Sequence, residues 1–184
     1  MIRVEGYAVV CDNDCIADAS GHMPASLKSE AEWSYFQNGL DQADVIVLGR
    51  KSHVITPNPK GRARLVLTGS VQQAVWEDAL TVLWNPSTAP LSLAIEMFDR
   101  PVQTLAVTGG KLVFDHFLKR EGGYACFHLS RMKDVYLKDG IKLFPALDET
   151  GETPEVYLRK IGYEPGEWRT LDARASVVRW HRED

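Results

Sequence analysis

Cysteine is scarce in this 184-residue chain, which contains three cysteines and no CxxC pair. An odd number of cysteines without that spacing argues against a disulfide framework and against a four-thiolate metal site. The five histidines form no HxxxH or HxH pair, which argues against a histidine metal centre as well. The residues therefore predict reduced, partly buried thiols at Cys11, Cys15 and Cys126 and no bound metal.

Long hydrophobic runs and an excess of positive charge are also missing. Nowhere do about 18 apolar residues follow one another, and the N-terminus has no basic region that leads into an apolar stretch. The 21 basic residues are outnumbered by 25 acidic ones, so no global positive field exists to hold a nucleic acid. These absences predict a cytoplasmic protein that neither spans a membrane nor binds nucleic acid.

Several catalytic and nucleotide-binding fingerprints are missing too. The chain has neither the GxGxxG pattern of a dinucleotide-binding Rossmann fold nor the GxSxG element of a nucleophilic hydrolase. It contains no internal repeat, low-complexity tract or long linker. With 45% hydrophobic and 25% charged residues, its composition is that of a soluble globular protein, and its length suits one domain over residues 1–184.

Short apolar segments alternate with amphipathic ones along the first two thirds of the chain. Strand-like segments span residues 2–10, 44–48, 64–68, 80–84 and 104–107, and helix-like segments span residues 26–40, 91–99 and 111–120. After Gly122-Gly123 the helical pattern fades, and the strand-like segments are residues 124–130, 142–144, 168–171 and 176–181. A parallel half followed by antiparallel closing strands predicts an α/β fold with a central mixed, mostly parallel sheet flanked by helices.

Two polar constellations lie directly after predicted strands. Thr108-Gly109-Gly110-Lys111 joins a strand to a helix, where glycine lets the backbone approach a ligand and the helix N-terminus attracts a phosphate. The alternative is a tight turn that needs glycine for steric reasons alone. Gly49-Arg50-Lys51-Ser52 follows the strand at residues 44–48, and its two cations and hydroxyl suit a diphosphate or a 2′-phosphate. Its alternative is a solvated basic loop.

A third candidate is a carboxylate in the helix that follows the first loop. Glu30 would lie in the first turns of that helix, next to the apolar residues Ala31 and Trp33. A half-buried carboxylate there could hold the amidine-like edge of a heterocycle through two hydrogen bonds. Spacing alone does not select Glu30 over Glu32, which lies about 200° further around the helix. A solvated helix acid is the alternative.

Taken in order, these segments resemble the dihydrofolate reductase family over nearly the whole chain. The first, GYAVVCDNDCIADASGHMP, resembles the family's opening strand and mobile loop, and it is followed by VIVLGRKSH, GRARLVLTGS and VTGGKLVFDHFL. Phe144-Pro145 and the terminal VVRWHR resemble the closing strands. The resemblance implies the family's fold, a mixed sheet of about eight strands flanked by helices, with NADPH as the cofactor.

The resemblance also assigns site residues. Aligning Met23-Pro24 without gaps puts Glu30 on the family's pterin-binding acid, so Glu30 is the expected catalytic residue. Arg62 falls where an arginine binds the substrate's tail carboxylate, and Ser34, a second expected substrate contact, replaces an aromatic residue one turn after the acid. The expected cofactor-binding residues are Ala17 in the mobile loop, Gly49, Arg50, Lys51, Ser52, Thr68, Ser70, Thr108, Gly109, Gly110, Lys111 and Leu112.

By this resemblance the chain is expected to be an NADPH-dependent reductase that passes a hydride to a pterin such as 7,8-dihydrofolate. One alternative is a riboflavin-pathway 5-amino-6-(5-phosphoribosylamino)uracil reductase, whose usual Ser-Leu-Asp-Gly loop motif is absent here. Another is a non-catalytic nucleotide-binding domain of the same fold. The expected partner is a small heterocyclic substrate. A homodimer stays open, because Phe127, Trp168 and Trp180 could cover a dimer face or fill a core.

Overall fold

Twelve strands and six α-helices make up residues 1–182, the part of the chain that the computed structural model describes. The strands are β1 (Arg3–Val10), β2 (Cys15–Ala17), β3 (Val45–Gly49), β4 (Arg64–Leu67), β5 (Ala74–Trp76), β6 (Thr81–Trp84), β7 (Thr104–Val107), β8 (Cys126–Met132), β9 (Ile141–Lys142), β10 (Tyr163–Pro165), β11 (Arg169–Thr170) and β12 (Ala175–Arg182). The helices are α1 (Glu30–Asp41), α2 (Arg50–Ile55), α3 (Leu91–Glu96), α4 (Lys111–Lys119), α5 (Pro145–Thr150) and α6 (Pro154–Lys160).

Ten of these strands form one mixed sheet. Its order is β10-β12-β8-β1-β7-β3-β4-β6-β5, and β11 pairs with β12 beside this path. Neighbouring strands from β8 to β6 are parallel, whereas the pairings of β5, β10, β11 and β12 are antiparallel. The predicted α/β fold with a mixed, mostly parallel sheet is confirmed. The sheet exceeds the expected eight strands because short strands extend its edges.

The central strands are buried on both faces, which explains their continuous apolar sequences. In β3, Val45 and Val47 belong to the larger core, together with the aromatic side chains of Phe114, Phe117, Phe127 and Trp180. The alternate residues of β3, Ile46 and Leu48, belong to a smaller cluster beneath α1 that also contains Tyr7, Leu40, Val66, Leu83 and Ala106. The helix α1 therefore covers one face of the sheet.

Two helices in the closing segment, α5 and α6, were not predicted from the sequence. Each begins with a proline, which suits the first helical position because its missing N–H would have no partner there. Helices of six and seven residues are too short for apolar periodicity to reveal them. The longest helix, α1, has 12 residues, and none within residues 1–182 has the length and hydropathy needed to cross a bilayer.

Burial decides how the cysteines and the three candidate interface aromatics are used. Cys11, Cys15 and Cys126 are free thiols and are buried. Phe127 and Trp180 are 0% and 1% exposed, so both fill the core. Of the three aromatics considered for a dimer face, Trp168 alone lies at the surface.

Candidate active site

The carboxyl ends of the parallel strands β1, β7, β3 and β4 meet at one edge of the sheet, where ligands bind in open α/β sheets. The register brings Gly49 beside the glycine pair that follows β7. The amide of Gly49 donates to the Gly109 carbonyl over 3.0 Å, and the amide of Thr108 donates to the Val47 carbonyl over 2.9 Å. Gly49, Thr108, Gly109 and Gly110, which the sequence analysis selected separately, are thus brought together, and we refer to them as the glycine edge.

The backbone of the glycine edge is open to a ligand. Gly109 has a φ of 109°, which favours glycine, and its peptide bond to Gly110 is cis. A side chain at Gly109 would meet the Phe114 ring at 2.9 Å, whereas one at Gly110 would meet nothing within 4 Å. Gly110 is also the N-cap of α4, whose first N–H groups have no carbonyl of a preceding turn to bond. Open backbone at a helix N-terminus suits a phosphate.

Arg50, expected at a cofactor phosphate, is paired with an acid of the same chain. Its guanidinium donates to the Glu77 carboxylate, whose other oxygen lies 2.7 Å from His53 Nε2. The pair is partly exposed, so it contributes little to stability, and Arg50 can exchange partners at small cost. Ser52 lies in the same first turn of α2 and is half-buried.

Lys111 and Leu112 form the first turn of α4. The Lys111 ammonium donates to the Asp148 carboxylate, so this cation too is paired within the chain. Leu112 is 74% exposed at the glycine edge, where its apolar side chain has no cover. Both residues lie beside the glycine edge, and Lys111 is engaged by its own protein.

The segment compared with a mobile loop reaches α2 through its second half, residues 18–24, which follows β2. Lys51 Nζ donates to the Ser20 carbonyl, which ties this loop to the first turn of α2 beside the glycine edge. Ala17, which was expected in this loop as a cofactor contact, is instead buried in β2 and pairs with Ile141. The side chain of Ala17 therefore packs inside the protein, and the loop after it forms the border of the site.

Thr68 and Ser70 follow β4 at the same edge. Their hydroxyl oxygens are 2.9 Å apart, and the Ser70 amide donates to Thr68 Oγ1 over 3.2 Å. A cavity of about 700 Å³ lies next to this turn and is lined by Gly69, Val71, Gln72, Gln73, Ala74, Val75, Asn85 and Thr88. The turn thus presents two hydroxyls at this edge, beside the cavity.

The helix α1 buries Glu32 and exposes Glu30. Ser29 caps the helix by accepting the Glu32 amide over 3.0 Å, so both acids fall in its first turn. Glu32 is 5% exposed, whereas Glu30 is exposed. The expectation of a half-buried Glu30 is wrong because Glu32, Phe36 and Leu40, at spacings of four, form the face that packs on the sheet. That spacing was the sequence signal for Glu32.

Glu32 lies against a buried serine. Burial raises the pKa of the Glu32 carboxyl, and a hydrogen bond with the Ser130 side chain opposes this to a smaller extent. Ser130, on β8, is 2% exposed and pairs with Val9 of β1. The sequence analysis left Glu32 open beside Glu30 and missed Ser130. Ser34 does not approach them, because it shares the exposed side of α1 with Glu30.

Arg62 lies at the opposite edge of the sheet from the glycine edge, just before β4 begins. Its Nη2 donates to the Gln37 side chain over 2.9 Å and to the Asp41 carboxylate, and its Nε also donates to Asp41 over 3.2 Å. Lys60 binds the other oxygen of Asp41 over 2.7 Å. A cavity of about 440 Å³ adjoins these residues, and Glu32 is not part of its lining. The structure therefore does not bring Arg62 to the glycine edge.

Many solved structures share this fold, and three of them illustrate it. A putative riboflavin biosynthesis protein from Shewanella sp. PV-4 matches with a TM-score of 0.68 and 15% identity, over all of both chains. The Thermotoga maritima diaminohydroxyphosphoribosylaminopyrimidine deaminase/5-amino-6-(5-phosphoribosylamino)uracil reductase matches with a TM-score of 0.67 and 15% identity, over 98% of this chain and 56% of that one. Dihydrofolate reductase from Enterococcus faecalis, complexed with NADP(H) and RAB-propyl, matches with a TM-score of 0.65 and 14% identity, over 99% and 97%.

The fold is therefore the one shared by dihydrofolate reductase and the riboflavin-biosynthesis reductase, as the resemblance implied. No protein-family model matches the chain, and no curated protein matches its sequence at a significant level.

Proposed function

We propose that this chain is an NADPH-dependent reductase of a small nitrogen heterocycle, a pterin such as 7,8-dihydrofolate in the first instance. The observation that carries the proposal is the buried carboxylate of Glu32, which lies near Ser130 on one face of the sheet. The glycine pair lies at the carboxyl ends of the parallel strands of the same sheet. A buried acid without a cationic partner is costly, so the burial of Glu32 suits a site whose ligand supplies one.

The glycine edge has the shape that a dinucleotide phosphate needs. The open space at Gly110 and the close pairing of Gly49 with Gly109 let a phosphate approach the main chain, with the α4 N-terminus opposite its charge. Thr68, Ser70 and Arg50 would hold the outer phosphates, once Arg50 releases Glu77. When bound, a reduced nicotinamide supplies the hydride, and these residues orient it.

Glu32 would bind the heterocycle. The Ser130 hydroxyl lies near enough to lower the Glu32 pKa, and the carboxylate oxygens can take N–H donors from an amidine-like edge. Because burial raises the Glu32 pKa, a bound cationic heterocycle would restore the ionised carboxylate, and the pair would share the proton that the reduction consumes. Phe36, one turn later, packs partly against the core and offers an aromatic ring beside the acid.

A ribosylated aminopyrimidine is the second candidate substrate, and Arg62 favours it. The guanidinium expected to hold a tail carboxylate already donates to Asp41 and Gln37. A folate tail would have to displace Asp41, whereas a substrate without that carboxylate would leave the pair intact. Of the similar structures described above, one is named as a putative riboflavin biosynthesis protein and one as a 5-amino-6-(5-phosphoribosylamino)uracil reductase. A third possibility is a domain that binds the nucleotide without catalysis.

The decisive experiment is titration with NADPH, followed by 7,8-dihydrofolate and then by the aminopyrimidine phosphate, while absorbance of the reduced cofactor is followed. Oxidation that depends on either substrate supports the reductase and identifies the substrate class. If NADPH binds but is oxidised with neither substrate, the chain is a nucleotide-binding domain without catalysis. If NADPH does not bind, the proposal is contradicted.

The matched variants Glu32→Gln and Glu30→Gln separate the two acids. We expect Glu32→Gln to lower kcat by on the order of 100-fold, because the heterocycle loses its charged partner, with NADPH affinity almost unchanged. Glu30→Gln should keep wild-type turnover, since Glu30 is exposed. Equal losses in the two variants would remove Glu32 from the site.

A further inference from the structure

A polar cluster that the proposed chemistry does not use lies buried beneath α1. Its members are Glu5 and Tyr7 on β1, His128 on β8 and Tyr35 on α1, and we refer to them as the buried cluster. Tyr7 Oη donates to Glu5 Oε2 over 2.8 Å, and His128 Nε2 lies 3.3 Å from the same oxygen. His128 Nδ1 lies 2.5 Å from Tyr35 Oη, and the Tyr7 and His128 rings stack with centroids 4.2 Å apart.

The directions of these hydrogen bonds follow from Glu5. Its pKa is lowered to about 2, chiefly by the hydrogen bond with His128, so the carboxylate stays ionised and only accepts. His128 Nε2 therefore carries a hydrogen toward Glu5, and the other ring nitrogen, Nδ1, makes the hydrogen bond with the Tyr35 hydroxyl. Burial raises the pKa of Tyr35 to about 12, so this hydroxyl keeps its hydrogen. The arrangement satisfies every member of the cluster.

Charged and titratable neighbours of the buried cluster leave this arrangement in place. Arg3 Nε donates to the second Glu5 oxygen over 2.6 Å. Burial raises the pKa of Cys126 to about 12, so it stays a thiol. The Arg169 guanidinium lies 6.0 Å from the centre of the Tyr35 ring, and Arg179 follows on β12. Arg3 favours the ionised Glu5 on which the sequence of bonds depends, whereas Arg169 and Arg179 only oppose the rise of the Tyr35 pKa.

Acid, histidine and hydroxyl occur here in the order of a hydrolase triad, with a different consequence. In a triad the hydroxyl is presented to a substrate. Here the Tyr35 hydroxyl ends at His128, between the helix and the sheet, and His128 is 8% exposed. Its hydrogen bond therefore attaches α1 to β8.

The two residues that form this hydrogen bond lie close in sequence to Glu32 on α1 and to Ser130 on β8. Tyr35 follows Glu32 by three residues, which places the two about one helical turn apart. His128 precedes Ser130 by two residues on the same face of β8, about 7 Å along the strand. Within α1 the fully buried residues are Glu32 and Leu40, while Tyr35 and Phe36 are partly buried against the sheet, so Tyr35 belongs to the contacts that set the rotation of the first half of the helix.

We propose that Tyr35, held by His128 and Glu5, is a positioning residue that fixes the rotation of α1 and thereby the direction of the Glu32 carboxylate. The inference rests on the proposed function of Glu32. Reactions between bound groups depend on their placement to within about 1 Å, so a small rotation of α1 is enough to disturb the chemistry.

Tyr35→Phe tests the proposal by removing one hydroxyl. We expect kcat to fall and KM for the heterocycle to rise, each by on the order of tenfold, with NADPH affinity unchanged. The ¹³C titration of the Glu32 carboxyl should also move from its wild-type midpoint, because its bond to Ser130 changes. Tyr136→Phe, at an exposed tyrosine, is the matched control and should match the wild type in both measurements.

Two further variants separate positioning from stability. Leu40→Ala removes buried packing from the same helix and should lower Tm while leaving the Glu32 titration in place. His128→Asn keeps an acceptor near Nδ1 and should retain more turnover than His128→Leu, which keeps none.

The proposal is overturned if Tyr35→Phe leaves the Glu32 titration unchanged, or if Leu40→Ala shifts that titration as much as Tyr35→Phe does. Failure of the proposed function is distinguishable. A wild-type protein that oxidises NADPH with neither substrate would refute the reductase, while the titration of Glu32 in the same proteins would still decide whether Tyr35 positions it.

Discussion

The glycine edge and the first half of α1 are built in different ways. The glycine edge consists of main chain, and the parallel register of β3 and β7 fixes its position. The first half of α1 works through side chains, and the rotation of the helix decides which of two acids faces the sheet. A backbone site follows from a local motif, whereas a side-chain site depends on packing that a motif does not encode.

The largest effect is expected from filling the glycine edge. Gly109→Ala places a Cβ 2.9 Å from the Phe114 ring at a φ of 109°, so the start of α4 must shift. Strain of this kind costs about 1–3 kcal/mol, and we expect NADPH affinity to fall by on the order of 10- to 100-fold in a fluorescence titration.

Gly122→Ala provides the matched control for Gly109→Ala. Gly122 has a φ of 81° and open space around a Cβ, so the backbone penalty is similar but lies away from the glycine edge. Cofactor affinity should stay at the wild-type value. Equal losses of affinity in the two variants would show that the edge has no special role.

An intermediate effect is expected from neutralising the buried acid on α1. Because the folded-state pKa of Glu32 is raised, its contribution to stability is present below the unfolded pKa and is lost as pH rises through the folded pKa. Glu32→Gln removes that loss. As pH rises from 4 to 8, the free energy of unfolding of the variant should therefore increase by about 1 kcal/mol relative to the wild type, as measured by urea unfolding.

Glu30→Gln is the control for this pH dependence. Glu30 is exposed in the first turn of α1, where a negative charge is favourable, so the variant should lose a little stability at pH 8 instead of gaining it. If Glu32→Gln were less stable relative to the wild type at pH 8 than at pH 4, the Glu32 charge would have to be stabilised by the protein.

The smallest effect is expected at Arg50. Glu77→Gln frees the Arg50 guanidinium from a partly exposed ion pair. We therefore expect NADPH to bind about two- to fivefold more tightly to the variant, and added salt should reduce this difference. Asp41→Asn, which releases Lys60 and Arg62 at the opposite edge of the sheet, should leave NADPH affinity unchanged. Weaker binding by Glu77→Gln would remove Arg50 from the cofactor site.

The sequence by itself determined the fold class, the central strands and the glycine edge. Continuous apolar runs predict strands buried on both faces, and glycines that end such strands mark close approach of main chains, so both are local properties. The short helices α5 and α6 were not predicted, because six or seven residues are too few for a helical periodicity of apolar residues to be recognised.

Only the tertiary structure decided the acid, its partner and the buried cluster. Glu30 and Glu32 have the same local chemistry, and the cap at Ser29 with packing through Phe36 and Leu40 selects Glu32. Ser130 lies 98 positions after Glu32 in the chain, and Tyr35 and His128 are 93 positions apart. Contacts between residues so distant form only when α1 settles on the sheet, and no local pattern specifies them.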